Sequence, residues 1–184
     1  MKARKVNELM IPLSDYATVL EDAFLADAIK ALKTAQSDTK FKYKHRAILV
    51  LDPGNNVVGK LGIREILKAL EPKYRQFEHS DDTASIGLSR FGFNMGFLSS
   101  LVDKLELWDE TMEELVLKAG RLTVKDIMYS PSKAEYVDQT APIAEAVHQF
   151  ILGCHQSLLV LDGDVVVGIL RLADIFDLVC NLIE

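Results

Sequence analysis

Two charged residues near the C-terminal end of the sequence, Arg171 and Asp174, have types and spacing suited to binding a small phosphorylated molecule. Asp174 falls in the first turn of a predicted helix, Leu172–Ile183, where unpaired N–H groups and the helix dipole favour an anion. A carboxylate at this position accepts hydrogen bonds from both hydroxyls of a ribose. The planar guanidinium of Arg171 has the shape to bind a phosphate.

Both residues also have plainer interpretations, which the sequence leaves open. An acid in the first turn of a helix complements the helix dipole without any ligand. Arg171 is equally consistent with a solvated surface arginine. The choice depends on the elements that position the two side chains.

An internal repeat supplies those elements. The segment VNELM at 6–10 reappears as VKDIM at 124–128. Each copy is followed by a predicted helix, at 24–35 and at 141–152, with apolar residues at helical spacing. Thr140 is the predicted N-cap of the second helix and Gly153 its C-terminal end.

A hairpin pattern then occurs twice. AILVLD at 47–52 matches SLLVLD at 157–162, and each run ends in turn residues before a second apolar strand, at 57–61 or 165–170. A last helix follows, at 64–70 or 172–183. Each copy therefore predicts a β-α-β-β-α unit of an α/β fold.

The repeated pattern resembles the CBS-domain family (cystathionine-β-synthase domain). The resemblance rests on the VxxLM-type opening, the strand ending in Asp, and the segments VGKLGIRE at 58–65 and VGILRLAD at 167–174. It implies two units paired about a pseudo-twofold axis, as in a Bateman module, with two clefts that bind adenine nucleotides in many members. It also implies a homodimer.

The resemblance points to specific site residues. A Ser or Thr that holds ribose or phosphate in the family is replaced by Gly62 in the first copy and by Arg171 in the second. The acid of the first copy is Glu65, which has Arg64 as a neighbouring cation. Asp174 with Arg171 is therefore expected to form the better adenosine-binding cleft, for AMP, ADP or ATP.

Two further residues are candidates by the same resemblance. His155 and Arg46 precede the core strands at positions where some family members contact phosphate. The alternative for either residue is a solvated side chain at a strand edge.

The repeat divides the chain into a first unit at 1–70, an acidic and largely helical insert at 71–120, and a second unit at 121–184. The insert holds ten acidic and five basic residues and carries most of the net charge of −6. No basic face is available for nucleic acid. An apolar stripe runs from Leu98 to Leu115 at helical spacing. It contains a possible capping box, Thr111 with Glu114, and it ends at Gly120. The stripe predicts one or two helices that pack on their own units or serve as a partner surface or dimer clasp.

The remaining sequence patterns argue against a catalytic site, a metal site and a membrane-spanning segment. No phosphate-binding glycine motif or nucleophile–base set is present, so the sequence predicts no enzyme. Cys154 and Cys180 show no metal-ligand spacing with the four histidines. They are expected to be buried reduced thiols, with a disulfide as the alternative. No apolar run is long enough to span a membrane, and the N-terminus lacks a secretory core, so a cytoplasmic location is expected.

The predicted function is a non-catalytic sensor that binds an adenosine-containing ligand between its units and signals to a partner protein in trans. The alternative is a structural dimerisation module with no nucleotide ligand. A homodimer is expected from an excess of apolar residues on the last helix. They are Ile175, Phe176, Leu178, Val179, Leu182 and Ile183.

Overall fold

The computed structural model of the chain describes residues 4–37, 44–73 and 109–183. Within these ranges the fold is α/β, with two sheets that each carry a β-hairpin and one parallel strand. The sequence order of the elements repeats from one sheet to the next, as predicted.

The first unit contains three strands and two helices around one sheet of order β2-β3-β4. In chain order the elements are β1 (Ile11–Pro12), β2 (Thr18–Leu20), α1 (Leu25–Ser37), β3 (Ala47–Leu51), β4 (Val57–Gly62) and α2 (Ile63–Leu70). The strand β1 belongs to the sheet of the second unit.

The second unit repeats this plan in a sheet of order β1-β7-β6-β5. Two helices, α3 (Met112–Ala119) and α4 (Val124–Ile127), follow α2 among the described residues and pack on the first unit. The elements of the second unit are then β5 (Tyr136–Asp138), α5 (Ile143–Gly153), β6 (Ser157–Asp162), β7 (Val165–Arg171) and α6 (Leu172–Ile183). The helix α6 has the bounds predicted from its apolar spacing.

Equivalent strands pair in the same way in both units. Strand β2 lies parallel to β3, as β5 does to β6, and each hairpin is antiparallel with a register irregularity after Val50 or Val160. Asn55 and Gly163 adopt positive φ in the hairpin turns, a conformation that asparagine and glycine tolerate best. The central strands are buried on both faces, as continuous apolar runs predict. One face of each sheet packs on its helices, and the other joins Leu49 of the first unit to Leu159 and Ile169 of the second in one apolar cluster.

The opening turn of the first copy packs on the second unit. Val6 N donates a hydrogen bond to Ala141 O at 3.0 Å, and Ile11 pairs with Ile169 across β1 and β7. Val6 is fully buried in a cluster with Phe150 and other residues of the second unit.

The opening turn of the second copy likewise packs on the first unit. Val124 N donates to Ala23 O at 2.9 Å, and Lys60 and Tyr129 exchange two backbone hydrogen bonds of 2.9 Å. Val124 is buried in the core of the first unit beside Leu25. The predicted segment boundaries therefore follow the sequence repeat. In the folded chain, the opening turn of each copy packs on the unit formed by the other copy.

Two details differ from prediction. Thr140 does not cap α5, because its N–H and hydroxyl both donate to Asp138, and Pro142 occupies the N-cap position. At the other end the helix ends at Gly153 as predicted, and Cys154 is the C-cap with a left-handed φ of 53°. Cys154 is exposed and Cys180 half-buried, and both are free thiols. The expectation that both cysteines are buried is therefore wrong.

Part of the insert is described. Thr111 and Glu114 form the predicted capping box, α3 follows it, and Gly120 is the C-cap. Leu115 is buried in the core cluster of the first unit, so this helix packs on its own chain. The rest of the predicted apolar stripe, from Leu98 to Trp108, lies outside the described residues.

Candidate ligand-binding site

Asp174 lies in the first turn of α6, directly after β7 ends at Arg171. Its Oδ2 accepts hydrogen bonds from the backbone N of Arg171 at 3.2 Å and from the Nε of the same residue at 2.8 Å. Its Oδ1 accepts from Arg171 Nη2 at 2.5 Å. The two predicted ligand groups are therefore brought together, and they bind each other.

This ion pair is largely withdrawn from water. The exposed fraction of the side chain is 10% for Arg171 and 13% for Asp174. Arg171 is thus not the solvated surface arginine of the plainer interpretation. A bidentate guanidinium–carboxylate pair of this kind is held more firmly than a single exposed ion pair.

Two aromatic residues of the first unit accompany the ion pair. Burial raises the pKa of Tyr16 to about 12, while the nearby charge of Arg171 lowers it and that of Asp174 raises it. The Tyr16 ring stacks on His45, with ring centroids 4.2 Å apart and an interplanar angle of 19°. A buried, stacked aromatic pair of the first unit therefore lies near the ion pair of the second.

Tyr16 and His45 were not among the site residues predicted from the sequence. Both are buried, and His45 stands two residues before β3 as His155 stands two residues before β6. Because the two units are repeats, His45 occupies the position in the first unit that His155 occupies in the second. The prediction of His155 as a site residue could therefore have been extended to His45. Tyr16 carried no comparable signal, since it follows a short 3-10 turn outside the repeated motifs.

The acid of the first copy makes a different arrangement. Glu65 Oε2 accepts a hydrogen bond from the backbone N of Gly62 at 3.0 Å, which closes the first turn of α2. Gly62 has no side chain to reach the carboxylate, and a Cβ placed there would lie 2.9 Å from Glu65 Oε2. This carboxylate therefore lacks the guanidinium contact that Asp174 has.

A charged cluster formed by Lys60, Tyr129, Ser132 and Glu135 lies beside Glu65, whose charge contributes to raising the pKa of Tyr129. Lys60 Nζ donates to Glu135 Oε2 at 2.6 Å, and the exposed side-chain fractions are 11% and 4%. Tyr129 OH donates to Glu135 Oε1 at 2.5 Å, and Ser132 N donates to the same oxygen at 3.0 Å.

The electrostatics of this Lys60–Glu135 cluster follow from its partners. Burial is the largest influence on Glu135 and raises its pKa, but hydrogen bonds from Lys60, Tyr129 and Ser132 outweigh it and bring the pKa below its usual value. Burial, followed by the hydrogen bond to Glu135, raises the pKa of Tyr129 to about 12. Around neutral pH the cluster therefore holds a carboxylate and a neutral phenol.

The position of Lys60 in the sequence indicates that the residue needs an anionic partner, but the ion pair with Glu135 was not predicted. Lys60 is the only charged residue of the strand β4, whose neighbours Gly59 and Leu61 are buried. A lysine at such a position requires an anionic partner. Nothing in the sequence identified Glu135 as that partner, because the two residues are 75 positions apart.

The other predicted site residues occupy separate positions. Arg64 is exposed on the first turn of α2, and Arg46 is exposed before β3, where its carbonyl accepts from Ile63 N. His155 is half-buried and lies against Gly153, since a Cβ on that glycine would be 2.1 Å from His155 Nε2. Their roles toward phosphate remain predictions.

Among residues 4–37, 44–73 and 109–183, no group of three or more His, Cys, Asp or Glu side chains is arranged to hold a metal ion. Within the same ranges, every helix is too short or too polar to cross a bilayer.

A family model described as "CBS domain" matches residues 6–72 and 122–181 of the chain. These two matched segments contain the two copies of the sequence repeat. Among curated proteins, none matches the sequence significantly.

Solved structures share the fold at low sequence identity. A crystal structure of CBSX2 in complex with AMP is 15% identical, covers 98% of each chain and has a TM-score of 0.60. A putative acetoin utilization protein (AcuB) from Vibrio cholerae is 17% identical, covers 100% of this chain and 95% of its own, and has a TM-score of 0.62. A CBS domain-containing protein of unknown function from Bacillus anthracis is 18% identical, with coverages of 97% and 94% and a TM-score of 0.63.

Proposed function

The chain belongs to the CBS-domain family, and from that premise we propose that this regulatory pair of CBS units senses an adenosine-containing nucleotide in the Asp174 cleft. The observation that carries the proposal is the Arg171–Asp174 ion pair at the start of α6, which places a ribose acceptor and a phosphate-binding cation together. The AMP bound by the structurally similar CBSX2 supports the choice of ligand class.

The chemistry of the cleft fits the parts of a nucleotide. The Asp174 carboxylate accepts hydrogen bonds from ribose hydroxyls, and the Arg171 guanidinium binds a phosphate through two parallel N–H groups. The stacked pair Tyr16–His45 of the first unit is buried near these groups. A ligand bound to Asp174 and Arg171 would therefore lie where the two units meet.

We propose a stoichiometry of one nucleotide per chain. The cleft beside Glu65 is occupied by the chain's own Lys60–Glu135 cluster, and opening that cluster would separate a buried ion pair. The Arg171–Asp174 ion pair is also buried, but a nucleotide supplies a new partner for each of its charges, a phosphate for Arg171 and ribose hydroxyls for Asp174.

Regulation follows from the position of the ligand between the units. A ligand that binds one relative arrangement of the units better than another shifts their equilibrium. We propose that a partner protein binds in trans to one of these arrangements and thereby reads the nucleotide level. By linkage, that partner changes the affinity for nucleotide by the same factor.

We also propose that the chain forms a homodimer through α6. Phe176, Val179, Leu182 and Ile183 are all exposed on this helix, while Ile175 and Leu178 pack on the chain itself. Apolar side chains on adjacent turns form a patch that association with a second copy would remove from water.

A thermal-shift panel of AMP, ADP, ATP, GMP and adenosine tests the nucleotide proposal. A ligand at 100 times its dissociation constant adds about 2.7 kcal/mol to the free energy of unfolding, and it raises the melting temperature accordingly. We expect adenine nucleotides to stabilise the protein and GMP to do so much less.

The second candidate function is a structural dimerisation module without a nucleotide. It is favoured by the absence of a hydroxyl at Gly62 and by the engagement of the Asp174 carboxylate by Arg171 in the ligand-free chain. Absence of stabilisation by every nucleotide, with an intact dimer in sedimentation, would establish this function in place of the sensor.

A further inference from the structure

We infer that Arg171 makes the Asp174 cleft selective for phosphorylated ligands over nucleosides, because it withholds the ribose acceptor until an anion draws the guanidinium away. This inference rests on the proposed function and specifies how the same site chooses its ligand. Its basis is the contact between Arg171 and Asp174 and the burial of both side chains.

Both oxygens of the Asp174 carboxylate are already engaged by Arg171. Oδ1 accepts from Nη2 at 2.5 Å, and Oδ2 accepts from Nε at 2.8 Å and from the backbone N at 3.2 Å. With about a tenth of each side chain exposed, a ribose cannot approach these oxygens unless the guanidinium moves. The ion pair therefore competes directly with ribose binding.

The competition affects nucleosides and nucleotides differently. A nucleoside that takes Asp174 leaves the Arg171 guanidinium buried without its carboxylate, and losing one charged hydrogen-bonding partner weakens binding roughly ten- to a hundredfold. A nucleotide brings a phosphate that accepts the same two N–H groups. The phosphate replaces the carboxylate as the partner of Arg171, so the nucleotide avoids this loss.

A comparison of the two units indicates that the selectivity for phosphorylated ligands is confined to the Asp174 cleft. At the equivalent position the first unit has Gly62, and Glu65 accepts only the backbone N–H of that residue among the hydrogen bonds described for it. The equivalent strand end therefore offers no side chain that could withhold the carboxylate. Arg171 is the residue that introduces the selectivity.

The first experiment uses the unmodified chain. Adenosine is titrated by calorimetry in the presence and absence of saturating inorganic phosphate, with sodium chloride at equal ionic strength as the control. Phosphate bound to Arg171 releases Asp174, so we expect adenosine to bind about tenfold more tightly with phosphate than without it. Competition between phosphate and adenosine, or an unchanged adenosine affinity, would overturn the inference.

The second experiment removes the guanidinium. In Arg171→Thr we expect adenosine to bind about tenfold more tightly than in the native chain, the preference for AMP over adenosine to shrink, and the effect of phosphate to disappear. Arg171→Lys keeps the charge without the bidentate geometry and should give an intermediate preference.

The outcomes separate this inference from the proposed function. If AMP binding weakens in Arg171→Thr while adenosine gains nothing, Arg171 is a simple phosphate contact and the inference fails, although the nucleotide site stands. If the native chain binds neither AMP nor adenosine, the proposed function itself fails. If Arg171→Thr does not fold, the phosphate experiment on the native chain still decides.

Discussion

The ammonium of Lys60 lies 2.6 Å from Oε2 of Glu135, and this buried ion pair connects strand β4 of the first unit to the turn that precedes β5 of the second. Two buried charges are stable only as partners, because either one alone keeps its desolvation penalty without the compensating attraction. The pair therefore favours one relative position of the two units.

A double-mutant cycle measures this coupling. Lys60→Met or Glu135→Leu alone should lower the free energy of unfolding by about 3–5 kcal/mol, because each leaves an uncompensated buried charge. The double variant should lose at least about 2 kcal/mol less than the sum of the two single losses. Urea unfolding of the four proteins provides the measurement. Strictly additive losses would show that the two charges do not stabilise each other.

The same cluster predicts a pH dependence. The pKa of Glu135 in the folded chain lies below its ordinary value of 4.5, so its contribution to stability is present above that value and is lost as the pH falls through the folded pKa. We expect Glu135→Gln to lose less stability than the native chain on acidification from about pH 6 to about pH 3.

Urea unfolding at several pH values on both proteins checks this expectation. The difference between the two curves isolates Glu135 from other carboxylates with lowered pKa values, such as Asp138 and Asp52. Parallel curves would mean that the protonation of Glu135 is not linked to folding.

The packing of each opening turn on the other unit depends on two glycines, Gly168 and Gly59, where a Cβ would come too close to neighbouring atoms. A Cβ on Gly168 would lie 2.6 Å from the backbone oxygen of Ile11. One on Gly59 would lie 2.6 Å from the sulfur of Met128, and its nearest backbone atom, Tyr129 O, would be 3.1 Å away. A backbone atom in the β1–β7 pairing cannot move as readily as the end of a methionine side chain. Gly168→Ala should therefore cost about 1–3 kcal/mol, and Gly59→Ala clearly less.

Hydrogen exchange gives this prediction a local readout. The Val6 amide, which donates to Ala141 O, should lose protection in Gly168→Ala before the core of β6 does. In Gly59→Ala the same amide should keep its native protection, which makes that variant the matched control. Equal destabilisation by both variants would contradict the steric difference between a backbone oxygen and a thioether.

Local elements were predictable from the sequence because short-range patterns determine them. The apolar spacing of Leu172–Ile183 gave the bounds of α6, and the repeated hairpins were identified from apolar runs that end in turn residues. Thr140 shows the limit of such patterns. Its hydroxyl has a nearer partner in Asp138, so the expected cap did not form.

Contacts between distant segments were not predictable in the same way. The hydrogen bond from Val6 to Ala141 and the ion pair from Lys60 to Glu135 depend on how the two units dock, which no local pattern encodes. Arg171 and Asp174 lie three residues apart, so their proximity was expected. The sequence could not show that the two side chains bind each other, since that depends on their burial in the cleft.

The role of Asp174 toward ribose is testable with a matched pair of variants and a matched pair of ligands. In the native chain AMP should bind roughly ten- to a hundredfold more tightly than its 2′,3′-dideoxy analogue, because the analogue lacks the hydroxyls that donate to the carboxylate. Asp174→Asn should remove most of this preference, and Glu65→Gln should leave it unchanged. Calorimetry on the three proteins gives the ratios directly.

Two results would contradict the assignment of the cleft. A ribose preference that is lost in Glu65→Gln and kept in Asp174→Asn would place the nucleotide in the first-unit cleft. A native chain that binds AMP and its dideoxy analogue equally would show that neither carboxylate accepts from ribose.

The proposed dimer depends on the exposed apolar residues of α6. Phe176 and Leu182 are 59% and 68% exposed in the single chain, an exposure that association of two copies would remove. Phe176→Glu should dissociate the dimer at micromolar concentration, because it places a charge in an apolar interface. Val165→Glu is the matched control, since Val165 is 63% exposed on the hairpin turn of β7, away from α6. Analytical ultracentrifugation of the native chain should give twice the mass of one chain, and only Phe176→Glu should reduce it. A native monomer, or a dimer that Phe176→Glu leaves intact, would show that α6 is not the dimer interface.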